Sequence, residues 1–298
     1  MNKIAIAIHG GAGGNSTFIE SNYDAYIEGL RTAVEYGHKL LVDGTSAIDV
    51  VEATVRILED NPLFNAGKGS ALNADVEVEM DAAIMDGHLL SAGAVSMVRK
   101  VKNPITLARK VMTTTKHVHI GGAGALKLAE QNGLELMPDD YFIVERQLND
   151  LREEKSESHG TVGCVALDVS GNMAAATSTG GISNKLPGRV GDSCMIGAGC
   201  YANSYCASSC TGDGEVIMTN MIAHKVAMLM ELKGMTLQAA CDHTVDNADY
   251  PLPGDVGIVS VNKAGEVVFS FNCDRMHRAS IDQSGTLMVN IYDQYYRV

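Results

Sequence analysis

The sequence predicts a single α+β domain, and three observations predict it. Strand-like apolar runs gather at the start of each half of the chain, helical patterns fall between them, and the two do not alternate as a parallel βαβ sheet requires. At 298 residues, 46% hydrophobic and 20% charged, the chain carries enough apolar material for one large core.

Residues 3–8 read as a buried strand entering a glycine-rich turn, His9-Gly10-Gly11-Ala12-Gly13-Gly14. Helices are predicted near 22–41, ending before Asp43-Gly44, and from a Thr45 or Ser46 N-cap to about Glu59, before Asn61-Pro62. A loop from Leu58 to Ser70 leads to a strand from Val76 to Gly87, which opens in apolar/charged alternation, with Leu89–Val98 as its hairpin partner. Helices follow near 104–114 and 123–132, then a polar, charged stretch over 149–159. The second half reads as strand 161–169, turn Ser170-Gly171-Asn172, strand 173–179 and a long glycine- and serine-rich stretch to Gly214. Helices at about 216–233 and 236–248 and strands near 256–262, 266–271 and 286–292 complete it. No internal repeat is visible.

The net charge of −13 argues against nucleic acid or an anionic membrane as default partner. No apolar stretch approaches the roughly 20 residues a membrane span needs, and the N-terminal apolar run lacks the flanks of a signal peptide. Seven cysteines without a Cys-x-x-Cys pair suit a reduced cytoplasm. Cys206 with Cys210, His117 with His119, and Cys241 with His243 are the metal-ligand candidates. None makes a four-ligand spacing, so no catalytic metal or other cofactor is expected. A strand followed by Gly11-x-Gly13 suggests a dinucleotide loop, but Ser16 stands where the third glycine belongs and the next region is helical rather than a second strand.

The most informative junction is Gly160-Thr161, where the charged stretch meets the apolar run Thr161-Val162-Gly163-Cys164-Val165-Ala166-Leu167-Asp168. If the bond before Thr161 were cut, one residue would carry both a hydroxyl nucleophile and an amine base. An α-amine titrates near ~7.7–8.0, so much of it is neutral at working pH. Glycine before the cut tolerates unusual backbone geometry and lets a hydroxyl approach its carbonyl. From the residues alone, two readings stay open: a cut site, or simply the start of a strand.

The run His159-Gly160-Thr161-Val162-Gly163-Cys164-Val165-Ala166-Leu167-Asp168 closely resembles the cleavage site of the plant-type L-asparaginase/isoaspartyl peptidase family of N-terminal-nucleophile hydrolases. The resemblance continues through Ala175–Gly181, Asn184–Ser193, Gly197–Ala202 and Cys210–Glu215, and upstream through Ile8–Gly13, Pro62–Gly67 and Met80–Gly87, in the family's order. It implies a four-layer αββα sandwich, cleavage into residues 1–160 and 161–298, and association of two cleaved αβ protomers. It implies Thr161 as nucleophile with Thr179 beside it, Arg189 on the substrate α-carboxylate and Asp192 on its α-ammonium. Thr211 and Gly212 would form the oxyanion hole, Gly214 would turn its carbonyl to the substrate amine, and Asn65 would support the nucleophile. The loop of Leu58, Glu59, Asn61, Phe64, Ala66 and Lys68 resembles a structural sodium loop built from backbone carbonyls. Taken without the resemblance, Arg189 and Asp192 are also a plausible surface pair, and Thr211–Gly214 a tight turn.

The chain departs from the family pattern at Cys194, where proline commonly follows Gly-Asp-Ser, and at Asp213. It departs again at Cys273, His277 and Ala279 within Phe271–Ala279. The expected activity is hydrolysis of L-asparagine and β-aspartyl dipeptides. Glycosylasparaginase of the same fold is the alternative, and an uncleaved, inactive binding protein a third reading.

Overall fold

The first apolar run does not stop at the glycines. In the computed structural model, which describes residues 3–153, 160–246 and 250–292, it continues as strand β1 (Ala5–Gly13). Gly11 and Gly13, at φ of 118° and 145°, lie in the region that glycine tolerates. They absorb a register shift after His9, so the expected turn is a bulged strand. Helices α1 (Thr17–Ser21), α2 (Tyr23–Val42) and α3 (Ala47–Asp60) follow. The expected cap holds: Ser46 Oγ accepts the Asp49 amide.

Strands β2 (Met80–Asp86) and β3 (Ser91–Val98) form the expected hairpin. β2 starts later than the alternation from Val76 suggested. Asn73 Oδ1 takes the amides of Asp75 and Glu77 at 3.0 and 2.9 Å, winding that stretch into a turn. Then come α4 (Pro104–Thr114), β4 (His119–Gly121), α5 (Gly122–Gln131) and α6 (Glu145–Arg152). Helix α6 occupies part of the stretch read as merely polar. Its anchor is one buried side chain, Gln147, whose Nε2 donates to the Gly69 carbonyl at 2.7 Å. The rest of that stretch, 154–159, lies outside the described residues.

The second half holds β5 (Val162–Leu167), β6 (Met173–Thr179), β7 (Cys200–Ala202), β8 (Cys206–Gly212), α7 (Gly214–Asn220), α8 (Ile222–Lys233), α9 (Leu237–Val245), β9 (Val256–Asn262), β10 (Val267–Phe271), β11 (Arg275–Ile281) and β12 (Leu287–Asn290). Three findings correct the sequence reading. The glycine- and serine-rich stretch contains β7 and β8. The helix expected over 216–233 breaks at Met221, which adopts φ of 50°. Strand β11 falls where no strand was expected.

Two sheets result. One runs β12-β11-β1-β5-β6-β2-β3-β4, antiparallel except for the β3–β4 pair; the other runs β10-β9-β8-β7. The architecture is mixed α+β. Because side chains alternate along a strand, Ile6 and Ile8 of β1 join Leu30, Val34, Val51 and Val55 of α2 and α3 in one core cluster. Ala5 and Ala7 face the other way, meeting Val165 and Leu167 beside Ala207, Val259 and Val261 of the second sheet. A third cluster joins Cys206, Cys210 and Ile258 to Val226, Leu237 and Ala240 of α8 and α9. Among the described residues no helix is long and apolar enough to cross a membrane.

Candidate active site

Sheet register sets the first pair. Val162 of β5 lies opposite Ser178 of β6, so Thr161, just before β5, comes level with Thr179, the last residue of β6. Thr161 Oγ donates to Thr179 Oγ at 3.2 Å. Thr179 Oγ also accepts the Gly181 amide and donates its own proton to the Gly160 carbonyl, both at 3.0 Å. The Gly160 carbonyl belongs to the junction singled out in the sequence. It takes a second donor, Asn65 Nδ2, at 2.9 Å. Asn65 is itself fixed: Nδ2 donates to the Gly181 carbonyl at 2.6 Å, and Oδ1 takes the Ala71 amide at 2.7 Å.

Behind Thr161 stands His9, which the sequence reading placed only in a turn. Its Nδ1 lies 2.9 Å from the Thr161 carbonyl and its Nε2 2.7 Å from Ser209 Oγ. Burial pushes its pKa down to about 3, so the ring is neutral and carries one proton. A carbonyl only accepts, so that proton sits on Nδ1 and Nε2 accepts from Ser209. Ser209 Oγ in turn lies 2.7 Å from Thr177 Oγ, whose proton goes to the Gly199 carbonyl at 3.0 Å. A chain of three polar side chains therefore pins the Thr161 backbone from the core side. Its sequence signal is weak, because a serine in a small-residue strand and a histidine beside glycines both read as structural.

Gly160, Thr161, Thr179, Gly181, Ile182, Arg189, Asp192, Gly212 and Gly214 line one small cleft, of about 10 Å³. That is room for about one water. Asp192 is buried within it, and burial raises its pKa to about 7 against the lowering pull of Arg189. Its Oδ2 has no hydrogen-bond partner among the described residues. Arg189 does not pair with Asp192. Its Nε and Nη2 clasp the Glu215 carboxylate at 2.8–3.0 Å, leaving the Nη1 edge out of that grip. Glu215 is a site residue that the sequence reading named only as part of a run. Asp81 braces the loop by accepting the Gly191 amide at 3.0 Å.

Gly212, at φ of 128°, and Gly214 close the cleft. A β-carbon on Gly214 would stand 2.8 Å from Arg189 Nη2 and 3.1 Å from Asp192 Oδ1. Gly214→Ala is therefore expected to raise KM roughly tenfold or more, with the fold intact, in steady-state kinetics. Thr211 is not at the cleft surface. It is fully buried behind Gly212, and its Oγ accepts the Ala12 amide at 3.2 Å.

The loop from Leu58 to Lys68 is closed by the Lys68 amide on the Glu59 carbonyl at 2.8 Å. A β-carbon on Gly69 would stand 2.6 and 2.8 Å from the carbonyl oxygens of Pro62 and Phe64, and one on Gly67 2.5 Å from that of Glu59. Carbonyl oxygens thus crowd a cradle that only glycine leaves open, a donor set that fits a hard cation. The Glu59 side chain points elsewhere. Its Oε1 accepts from Ser178 Oγ at 2.7 Å and the Ile105 amide at 3.0 Å, and burial raises its pKa to about 8.

A family model described as asparaginase matches residues 2–159 and 153–291. An isoaspartyl peptidase of Escherichia coli (strain K12) is 44% identical over 298 aligned residues, covering 94% of this chain and 93% of that protein. An isoaspartyl peptidase/L-asparaginase of Mus musculus is 43% identical, covering 97% and 91%. A probable isoaspartyl peptidase/L-asparaginase 2 of Arabidopsis thaliana is 38% identical, covering 98% and 100%.

Proposed function

This chain belongs to the asparaginase family, and we propose that it is an autoprocessed amidohydrolase of L-asparagine and β-aspartyl dipeptides with Thr161 as nucleophile. The observation that carries the reading is the doubly donated Gly160 carbonyl beside the Thr161 hydroxyl. In maturation, Thr161 Oγ attacks the Gly160 carbonyl carbon. Negative charge grows on an oxygen already held by Asn65 Nδ2 and Thr179 Oγ, while the Thr161 proton has Thr179 as its acceptor. The C–N bond breaks as that proton is passed on to the Thr161 nitrogen, an ester forms, and water hydrolyses it to a Gly160 carboxylate and a free Thr161 amine. Losing one such donor costs about 10²–10³ in rate. Asn65→Ala is therefore expected to slow cleavage by that factor, read as the persistence of uncut chain in an intact-mass time course.

In the mature enzyme the freed amine takes the Thr161 hydroxyl proton as Oγ attacks the substrate side-chain carbonyl. The same proton leaves with the departing nitrogen, and water then releases aspartate from the β-aspartyl ester. The Gly212 amide would hold the oxyanion; the Thr211 hydroxyl, expected from the resemblance to share that task, is buried behind Gly212 on the Ala12 amide and would position the turn instead. Arg189 takes the α-carboxylate. The partnerless Asp192 Oδ2 takes the α-ammonium, and the Gly214 carbonyl joins it. Free α-groups held in this way admit L-asparagine and β-aspartyl dipeptides alike. Hydrolysis of β-Asp-Leu but not of N-acetylglucosaminyl-asparagine is the expected result. Activity on the glycosylated compound alone would turn the assignment to glycosylasparaginase.

The finer architecture we propose is the αββα sandwich, supported by the three core clusters that flank and separate the two sheets. A sodium ion would be held by the carbonyls of Leu58, Glu59, Asn61, Phe64, Ala66 and Lys68. It would supply only rigidity to the loop that presents Asn65. The seven unpaired cysteines suit a cytoplasmic setting, and two cleaved αβ protomers would form the working assembly.

A further inference from the structure

Gly160 also lines a second cavity. It measures about 180 Å³, and its walls include Asn65, Arg146, Asp150, Arg275 and His277. This cavity is built for an anion. Arg275 is 5% exposed, donating from Nε to the Gly14 carbonyl at 2.8 Å and from Nη1 to His277 Nδ1 at 3.0 Å. Burial and the two arginines drive the His277 pKa well down, so the ring is neutral. Arg146 lies over the Phe18 ring and reaches Tyr26 Oη with Nη1 at 3.3 Å. Its Nε and Nη2 are buried with no hydrogen-bond partner among the described residues. Among the described residues, two guanidinium cations therefore share this cavity with one carboxylate, Asp150, and two buried donors remain to be satisfied.

We propose that the Arg146–Arg275–His277 cavity is the subsite for the leaving group of β-aspartyl dipeptides and recognises the α-carboxylate of the departing residue. The inference rests on the reading above, in which Gly160 ends the first fragment. Gly160 is the partition shared by the two cavities, and cutting the Gly160–Thr161 bond frees that partition at one end. The cleft beside Thr161 has room for about one water, so an amino acid leaving Thr161 needs further space, and the neighbouring cavity has it. A planar guanidinium with two unpaired N–H groups suits a carboxylate, which accepts twice and carries charge, better than a neutral carboxamide with one accepting oxygen. His277 is also one of the positions at which the chain departs from its family's pattern.

The test uses the cleaved protein and compares L-leucine with L-leucinamide by titration calorimetry, alongside kcat/KM for β-Asp-Leu and β-Asp-leucinamide. The acid is expected to exceed the amide roughly tenfold in both measurements, and Arg146→Met to bring both ratios near one. Arg275→Met should do the same, and Arg146→Met carries the test alone if the more buried Arg275 cannot be replaced. Acid and amide equal in wild type, with both dipeptides turned over, overturns the subsite and leaves the amidohydrolase standing. An Arg146-dependent preference for leucine without any hydrolysis supports the subsite and sinks the amidohydrolase instead.

Discussion

Thr161→Ala is expected to remain a single chain of 31.6 kDa and to lose hydrolysis of L-asparagine by at least about 10⁴-fold. Two losses coincide in this variant. The uncut chain has no free amine to act as base, and its side chain has no oxygen to form either ester. The fold should survive, because the Thr161 hydroxyl makes one hydrogen bond, to Thr179, while the neighbouring backbone is held by His9. A normal melting temperature with no cleavage is therefore the expected pairing. Thr161→Ser separates the two roles of the residue. It keeps the hydroxyl and drops the methyl, so it should cut more slowly yet still reach two fragments, residues 1–160 and 161–298. An alanine variant that still cleaves, or that hydrolyses asparagine at near wild-type rate, ends the assignment of Thr161.

How much of this was legible in the sequence depended on whether a residue's role shows in its type. Ser46, Pro104 and Thr236 announce helix starts by cap chemistry, and α3, α4 and α9 begin there. β8 and β11 were missed for a physical reason. Cys206-Ala-Ser-Ser-Cys-Thr-Gly is buried on both faces and shows no polar alternation. β11 carries buried Arg275, His277 and Arg278, which read as surface residues. The site followed the same division. Thr161, Thr179, Arg189, Asp192, Gly212 and Gly214 could be named from the motif order and do share a cleft. His9, Ser209 and Glu215 act by holding a neighbour, and nothing in their spacing shows which neighbour. The placement of Thr211 behind the cleft wall, and of Arg189 in the grip of Glu215, needed coordinates.

Asp192→Asn carries the second large effect, and its signature is a loss of activity joined to a gain in stability. In the folded chain the carboxyl titrates near about 7, far above the ordinary aspartate value of 3.8, because burial opposes its charge more than Arg189 favours it. An α-ammonium placed at Oδ2 favours the charged form, so substrate must expel a proton below that pH. KM for L-asparagine is expected to rise about tenfold for each pH unit below 7, with that slope absent in Asp192→Asn. The variant itself should lose about 10²–10³ in kcat/KM, the worth of a buried charge pair. Stability runs the other way. A carboxyl whose folded pKa is raised binds its proton more tightly in the native state than in the unfolded one. Its stabilising contribution is therefore full below the unfolded value of 3.8 and is lost as pH rises through 7. Asparagine carries no such charge, so Asp192→Asn should melt several degrees above wild type at pH 8, with the gap shrinking toward pH 4. Thermal melts at the two pH values, set beside the KM profile, check both halves. An inactive variant that is also less stable at pH 8 would mean that Asp192 is a structural partner of Arg189 rather than a charge held ready for the substrate.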